Sequence, residues 1–121
     1  MKKRILIVEN NKEILELISI VLEEAGYELS LSLNEKGIFQ HILEFKPDAI
    51  LLDIVKPTME GTELCRQIKE AEGTKHIPVI ILSTHPKIEK VKEICADDIV
   101  EKPFDIEGLL SSLNEQLKAA G

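Results

Sequence analysis

The sequence predicts an α/β fold in which one parallel sheet is covered by helices on both faces. Short apolar runs alternate along the chain with stretches whose apolar residues recur at helical spacing. Five strand–helix repeats follow one another, and such alternation is typical of a doubly wound sheet with right-handed crossovers. At 121 residues the chain can bury one core of ordinary size, so we assign residues 1–121 to a single domain.

Two regular elements are expected at the start of the chain. Residues 3–8, which contain the apolar run 5–8, indicate a buried strand, and apolar residues at helical spacing over 14–25 indicate the helix that follows. Asn10 and Glu13 have the spacing of a capping box, and Gly26 suits the end of this helix. The first strand therefore passes directly into the first helix.

Edge and central strands are distinguished by their apolar patterns. Residues 27–33 alternate strictly between apolar and polar types, which indicates a half-exposed strand at a sheet edge. The next helix, over 38–45, ends before Pro47. Residues 49–52 are apolar on both faces and predict a central strand, which a third helix over 64–71 follows.

The rest of the chain completes the sheet. It contains a second central strand over 77–82, a helix over 88–95 and a short strand over 99–101. Asp105 can cap a final helix, whose buried stripe is predicted to be Ile106, Leu109, Leu110, Leu113 and Leu117. Two central strands and one edge strand fit the flavodoxin-like strand order 2-1-3-4-5.

Composition narrows the possible functions and locations. The formal charge of −7 argues against direct nucleic-acid binding. The basic N-terminal segment 1–4 precedes only four apolar residues, too few for a signal peptide or membrane span, so we expect a cytoplasmic location without membrane association. Cys65 and Cys95 lie in helical patterns without metal-ligand spacing, and we expect reduced, packed thiols.

Polar residues stand at the ends of four predicted strands. Glu9 and Asn10 follow the first strand, Asp53 ends the third, Ser83 ends the fourth, and Lys102 follows the last. The carboxyl ends of parallel strands share one edge of the sheet, and open α/β sheets hold their ligands beyond that edge. We therefore expect these side chains to converge on one site.

The chemistry of this residue set points to phosphate. Asp53 can act as a nucleophile that accepts a phosphoryl group as an acyl phosphate, although taken alone it fits a polar strand terminus or a cap better. Carboxylate and amide oxygens suit Mg²⁺. Phosphoryl transfer requires mainly positioning and positive charge, which Lys102 can supply, while the Ser83 hydroxyl can donate a hydrogen bond. The set predicts a metal-assisted phosphate site.

With these residues in these places, the chain resembles the receiver domains of two-component response regulators. The resemblance covers almost the whole chain and is carried by ILIVEN at 5–10, PDAILLD at 47–53, PTMEG at 57–61, PVIILS at 78–83 and ADDIVEKPF at 96–104. The last segment closely resembles the family's Ala-Asp-Asp and Lys-Pro-Phe signature. The family also has the 2-1-3-4-5 order, so that expectation rests on the resemblance as well as on the pattern.

The resemblance implies a role for each site residue. Asp53 would receive phosphate from the phosphohistidine of a sensor histidine kinase or phosphotransfer protein, by self-catalysed transfer and without being an enzyme. The groups implied around Mg²⁺ are Glu9, Asn10, Asp53 and the backbone carbonyl of Val55. Ser83 and Lys102 would contact the phosphoryl group, and the Lys102–Pro103 bond is expected to be cis. A downstream protein, or a second copy of the chain, would bind the fourth helix, fifth strand and fifth helix.

Three departures from the family pattern qualify this reading. Asn10 stands where the family usually has an acidic metal ligand, so we expect weak Mg²⁺ binding and slow phosphorylation. Thr84 replaces a small residue, and Ile99 replaces the usual tyrosine or phenylalanine. The alternative is a pseudo-receiver, a protein-interaction module with weak or no phosphorylation. A phosphohydrolase is a third reading, against which the chain shows neither a second acid nor a lid insertion.

Overall fold

The strands and helices alternate as the sequence predicts. The structure, a computed structural model, describes residues 2–54, 58–59, 61–85, 87–102 and 105–120. Its elements are β1 (Arg4–Val8), α1 (Lys12–Glu24), β2 (Glu28–Ser32), α2 (Ile38–Phe45), β3 (Ala49–Asp53), α3 (Glu63–Glu70), β4 (Val79–Ser83), α4 (Lys90–Ile94), β5 (Asp98–Glu101) and α5 (Ile106–Ala120). Among the described residues, no helix is long and apolar enough to span a membrane.

The five strands form one parallel sheet in the order β2-β1-β3-β4-β5. This confirms the flavodoxin-like fold and places the alternating strand β2 at an edge. The register aligns the strand ends, because Val8 lies beside Leu52 and Asp53 lies beside Leu82. Ser83 is in turn paired with Glu101. The polar residues that end the strands therefore share one edge of the sheet.

Two apolar clusters cover the two faces of the sheet. Successive side chains of a strand point to opposite faces, so Leu6 and Val8 pack with α2, α3 and α4, whereas Ile5 and Ile7 pack with α1 and α5. The apolar residues of β3 and β4 are buried on both faces. The site edge is therefore supported by a core on each side of the sheet.

The starts of two helices, α1 and α5, agree only in part with the prediction. The cap of α1 is Asn11 rather than Asn10, because Asn11 has the extended backbone of an N-cap and its Oδ1 accepts from the amides of Glu13 and Ile14 at 3.0 and 3.1 Å. Asp105 does cap α5, with Oδ1 accepting from the Gly108 amide at 2.5 Å. Ile106 is 43% exposed, because α5 begins at the sheet edge and its buried stripe starts one turn later.

The prediction of two reduced thiols is wrong. Cys65 in α3 and Cys95, at the C-cap of α4, form a disulfide with Cα atoms 5.7 Å apart. The two residues are 30 positions apart in the chain, and they meet because α3 and α4 cover the same face of the sheet. Helical periodicity places each cysteine in its helix, but pairing depends on how those helices pack.

Candidate functional site

Three charged side chains meet at the carboxyl edge of the sheet. Lys102 Nζ lies 2.5 Å from Glu9 Oε1 and 3.1 Å from Asp53 Oδ1. The side chain of Glu9 is fully buried, and those of Asp53 and Lys102 are only 9% and 10% exposed. The predicted phosphoacceptor and the predicted lysine are therefore in direct contact, with Glu9 on the other side of the ammonium.

Backbone hydrogen bonds of the sheet fix all three residues in place. The Glu9 amide donates to the Ser32 carbonyl at 3.0 Å, and the Lys102 amide donates to the Ser83 carbonyl at 2.8 Å. Each bond extends the strand ladder by one position, so that Glu9 and Lys102 continue β1 and β5. Asp53 is itself the last residue of β3. The site is therefore held by the sheet rather than by loop conformation.

The site carries more negative than positive charge. The Glu9 oxygen Oε2 accepts from the Asn11 amide at 3.1 Å. Within the described parts of the chain, its other oxygen, Oε1, makes no hydrogen bond of good geometry and faces the Lys102 ammonium. One ammonium offsets two carboxylates, which leaves one uncompensated negative charge in a nearly dry environment. A buried arrangement of this kind suits a further cation.

Ser83 is buried at the end of β4 and is part of a local turn. Its side-chain oxygen accepts from the His85 amide at 3.1 Å, which leaves the hydroxyl hydrogen free to be donated. His85 Nδ1 accepts from the Lys87 amide at 3.1 Å. Side-chain acceptors thus bind the amides of His85 and Lys87, and Ser83 remains at the carboxyl edge of the sheet.

The other predicted residues are placed less closely or lie outside the described residues. Asn10 and Thr84 are exposed, while Ile99 is half-buried against the cluster beneath α2, α3 and α4. Val55, predicted to supply a metal-binding carbonyl, and Pro103, predicted to follow a cis bond, both lie outside the described residues. The described residues contain no group of three His, Cys, Asp or Glu side chains arranged to hold a metal.

Glu35 is an acidic neighbour of the site that sequence reasoning missed. It is exposed at the mouth of a groove of about 410 Å³ between α2 and α3. The pKa of its carboxyl is raised by partial desolvation and by the negative charges of Asp53 and Glu63. Glu35 follows β2, so it stands at the same edge as Glu9 and Asp53. Applying the strand-end argument to all five strands would have found it.

The raised pKa of Glu35 predicts a pH-dependent stability effect. The folded state holds this proton more tightly than the unfolded chain, so ionised Glu35 disfavours folding at neutral pH, and the penalty is relieved as pH falls through the raised pKa. Glu35→Gln should therefore raise the melting temperature at pH 7 by about 2 °C. The difference should vanish near pH ~3.5, where glutamate is neutral in both states. Glu16→Gln, an exposed carboxylate on α1, is the control; an equal gain in both variants would contradict this assignment.

Comparison with known proteins identifies a family. The family model described as the response regulator receiver domain matches residues 5–114. The phosphate regulon transcriptional regulatory protein PhoB of Pseudomonas aeruginosa is 38% identical over 122 aligned positions, covering 98% of this chain and 53% of that protein. The chain spans about half the length of the curated relatives that it matches.

Solved structures agree with the fold. The signal receiver domain of a signal transduction histidine kinase from Syntrophus aciditrophicus is 32% identical, with a TM-score of 0.84 over 97% of this chain and 91% of that one. The receiver domain of the Pseudomonas aeruginosa sensor histidine kinase PA1611 has a TM-score of 0.85 over 98% of this chain and 99% of that one. At 24% identity it shows the fold alone, and its structure holds a magnesium ion in the active site cleft.

Proposed function

Because this chain belongs to the family of response regulator receiver domains, we propose that it is the phosphoacceptor domain of a two-component phosphorelay. Residues 1–121 form one receiver domain in this proposal, and Asp53 accepts the phosphoryl group. The observation that carries the proposal is the contact of Lys102 with Asp53 at the carboxyl edge of the sheet. A nucleophilic carboxylate beside a fixed ammonium has the charge arrangement that phosphoryl transfer requires.

The chain's own residues would act on the phosphoryl group in a definite arrangement. Lys102 holds Asp53 Oδ1 at 3.1 Å, which leaves the other carboxylate oxygen to attack phosphorus. The new oxygen–phosphorus bond forms as the bond from phosphorus to the donor's leaving group breaks. Lys102 offsets charge on the phosphoryl oxygens, and the Ser83 hydroxyl donates to one of them. The chain accepts and later loses this group by self-catalysed steps, as a signalling module rather than an enzyme.

The donor oxygens at this edge fit a magnesium ion. Glu9 and Asp53 offer hard oxygen ligands, and the buried Glu9 oxygen Oε1, which faces Lys102, accepts no hydrogen bond of good geometry from the described residues. We propose that the ion is held by Glu9, Asn10, Asp53 and the backbone carbonyl of Val55. A bound Mg²⁺ would supply positive charge opposite the phosphoryl oxygens. Binding is weak in this proposal, because Asn10 brings no charge and Lys102 already offsets one carboxylate.

Restoring an acid at position 10 should strengthen magnesium binding. Asn10→Asp adds one negative charge at the site edge, and hard divalent cations respond strongly to ligand charge, so we expect affinity to rise on the order of tenfold. Calorimetric titration with MgCl₂ measures the change. Asn114→Asp adds the same charge at an exposed position of α5 and should leave affinity unchanged. Equal affinity in Asn10→Asp and the unmodified protein would remove Asn10 from the proposed ligand set.

Binding partners follow from family membership. Receiver domains interact with histidine kinases or phosphotransfer proteins and with downstream effectors. We propose that a sensor kinase or phosphotransfer protein is the donor, in the cytoplasm, and that a downstream protein or a second copy binds the surface formed by α4, β5 and α5. The formal charge of −7 disfavours direct nucleic-acid binding by these residues.

Beryllofluoride binding tests whether the edge is a phosphoryl site. This ion mimics a phosphoryl group on an aspartate, and with Mg²⁺ it should shift the amide resonances near Asp53, Ser83 and Lys102. Asp53→Ala is expected to lose these shifts, while retaining the resonance dispersion of a folded protein. Identical shifts in Asp53→Ala would place the ion elsewhere and would count against the proposal.

A pseudo-receiver remains the second candidate, and one observation favours it. Lys102 contacts both carboxylates, so the site is held together without a metal ion. A pseudo-receiver would bind its partner without being phosphorylated. The departures from the family pattern at Asn10, Thr84 and Ile99 would then have no effect on phosphorylation. Absence of any beryllofluoride response in a folded, magnesium-saturated sample is the result that this candidate predicts.

A further inference from the structure

We propose that Cys65 and Cys95 form a reversible disulfide, a redox-modification site that fixes α4 to α3. The redox chemistry stands independently of the proposed function. Its consequence for signalling rests on that function, because α4 belongs to the proposed output surface.

The two cysteines lie inside one apolar cluster. Cys65 is fully buried in the first turn of α3, and Cys95 is 5% exposed at the end of α4. Their Cα atoms are 5.7 Å apart, within the range of about 4.4–6.8 Å seen for disulfides. The same cluster includes Ile68 of α3 and Val91 of α4. The cross-link therefore joins two helices that already pack on the same face of the sheet.

The α3 end of the cross-link is firmly anchored. Lys69, one turn after Cys65, donates from Nζ to Asp97 Oδ2 at 2.8 Å and to the Ile77 carbonyl at 3.1 Å. Asp97 Oδ2 also accepts from the amide of Val79, the first residue of β4, at 2.8 Å. These bonds tie α3 to the starts of β4 and β5.

The α4 end of the cross-link is held less firmly. This helix has five residues, and Val91 is its one buried side chain. The amides of Cys95 and Ala96 share the Val91 carbonyl at 2.9 and 3.1 Å. A helix of one turn and a half does not hold its shape by its own hydrogen bonds. A covalent bond from its last turn to α3 therefore restrains it, and breaking that bond leaves α4 free to open locally.

The oxidation step is a thiol–disulfide exchange with a small disulfide such as oxidised glutathione. The Cys95 thiolate, which becomes accessible when the short helix α4 opens locally, attacks one sulfur of the glutathione disulfide, releases one glutathione thiolate and leaves a mixed disulfide on Cys95. The Cys65 thiolate then attacks the Cys95 sulfur and releases the second glutathione. Two protein thiols are oxidised, and one glutathione disulfide is reduced to two thiols. Reduced glutathione reverses both steps. Disulfides of cytosolic proteins are usually of this transient kind.

The disulfide favours the conformation described here over any in which α4 has moved. The loop after β4 links Ser83, the proposed phosphoryl contact, to α4. A change at Ser83 that displaces α4 must therefore act against the cross-link, so oxidation lowers the affinity for the phosphoryl mimic. We expect beryllofluoride to bind the oxidised protein roughly fivefold more weakly than the reduced protein.

Thiol trapping tests the redox site without reference to phosphorylation. The unmodified protein is equilibrated in glutathione buffers of graded potential, quenched, unfolded and alkylated, and both cysteines should pass from labelled to unlabelled in one two-electron transition. Cys65→Ser should accumulate one glutathionyl adduct on Cys95, whereas Cys95→Ser should react much more slowly at buried Cys65. Two cysteines that stay fully labelled at every potential would overturn the proposal. Equal reaction rates in the two variants would overturn the order of attack.

Hydrogen exchange tests the restraint on α4. Amides of residues 88–96 should exchange at least tenfold more slowly in the oxidised than in the reduced protein, while those of α1 stay unchanged. The roughly fivefold difference in beryllofluoride affinity should disappear in the Cys65→Ala/Cys95→Ala variant. Equal exchange over 88–96 in both redox states would overturn the restraint. No beryllofluoride binding in either state would refute the proposed function, while the trapping and exchange results would still decide on the redox site.

Discussion

Replacing Lys102 with methionine should lower the free energy of unfolding by about 3 kcal/mol at neutral pH. The ammonium lies between Glu9 Oε1 and Asp53 Oδ1, and all three side chains are at most 10% exposed. Methionine is unbranched and only one heavy atom shorter than lysine, but it leaves two buried carboxylates without a cation. Removing one partner of a buried ion pair is costly because the remaining charge stays desolvated. Urea denaturation in the presence of a chelator measures the loss.

A matched surface pair provides the control for this prediction. Lys75 contacts Glu72 at 3.0 Å, but their side chains are 51% and 88% exposed. Lys75→Met should therefore change stability by no more than about 0.5 kcal/mol. Millimolar MgCl₂ should recover part of the loss in Lys102→Met, since a divalent cation can offset the same carboxylates. A loss in Lys102→Met no larger than in Lys75→Met would show that this buried cluster is not held by its lysine.

Reduction of the Cys65–Cys95 disulfide should lower the free energy of unfolding by about 3–4 kcal/mol. The bond closes a loop of 30 residues, and in the chain-entropy treatment such a cross-link acts mainly by restricting the unfolded chain. Urea denaturation with and without dithiothreitol measures the difference on the same protein. The midpoint should fall on reduction, and the transition should remain cooperative because the rest of the core is unchanged.

The double variant Cys65→Ala/Cys95→Ala separates the cross-link from side effects of the reductant. Its stability should be close to that of the reduced protein, apart from the volume lost on replacing two buried sulfurs, and dithiothreitol should not alter it. A reductant effect of equal size in this variant would show that the cross-link is not the cause. Equal midpoints of the oxidised and reduced unmodified protein would contradict the assigned stabilisation.

The order of elements follows from the sequence, and differences in burial separate the central strands from an edge strand, while the full strand order also rests on the family resemblance. The runs 49–52 and 79–82 are apolar on both faces, and the structure makes them the central strands β3 and β4. The strictly alternating stretch 27–33 becomes the edge strand β2. In a parallel sheet the strand direction also fixes the edge at which each strand ends. Local patterns therefore specify the architecture and the side of the sheet on which a site can form.

Interactions between elements are less visible in the sequence. The disulfide depends on the packing of α3 against α4, and neither helix reveals its neighbour through its own periodicity. The structure makes Asn11 rather than the predicted Asn10 the cap of α1. The local sequence does not separate the two, because adjacent asparagines have equal capping chemistry. The exposure of Ile106 depends on where α5 passes the end of the sheet. In each case, tertiary geometry decides between options that are locally equivalent.

The residues of the site could be predicted from the polar residues at the strand ends, but the charge interactions among them could not. Strand-end chemistry predicts that Glu9, Asp53 and Lys102 converge, and the structure brings them into contact. The double contact of Lys102 and the proximity of Glu35 appear only in three dimensions. They act in opposite directions on magnesium binding, since Lys102 already offsets a carboxylate, whereas Glu35 adds a negative charge near Asp53. The roles of these residues remain predictions.

Incubation with acetyl phosphate tests the proposed phosphoacceptor most directly. The protein is treated with acetyl phosphate and MgCl₂, and its intact mass is followed together with that of Asp53→Ala. We predict the gain of a single phosphoryl group in the unmodified protein and no gain in Asp53→Ala. An equal gain in Asp53→Ala, or no gain in the folded unmodified protein with several small phosphoryl donors, would contradict the assignment of Asp53 as the phosphoacceptor.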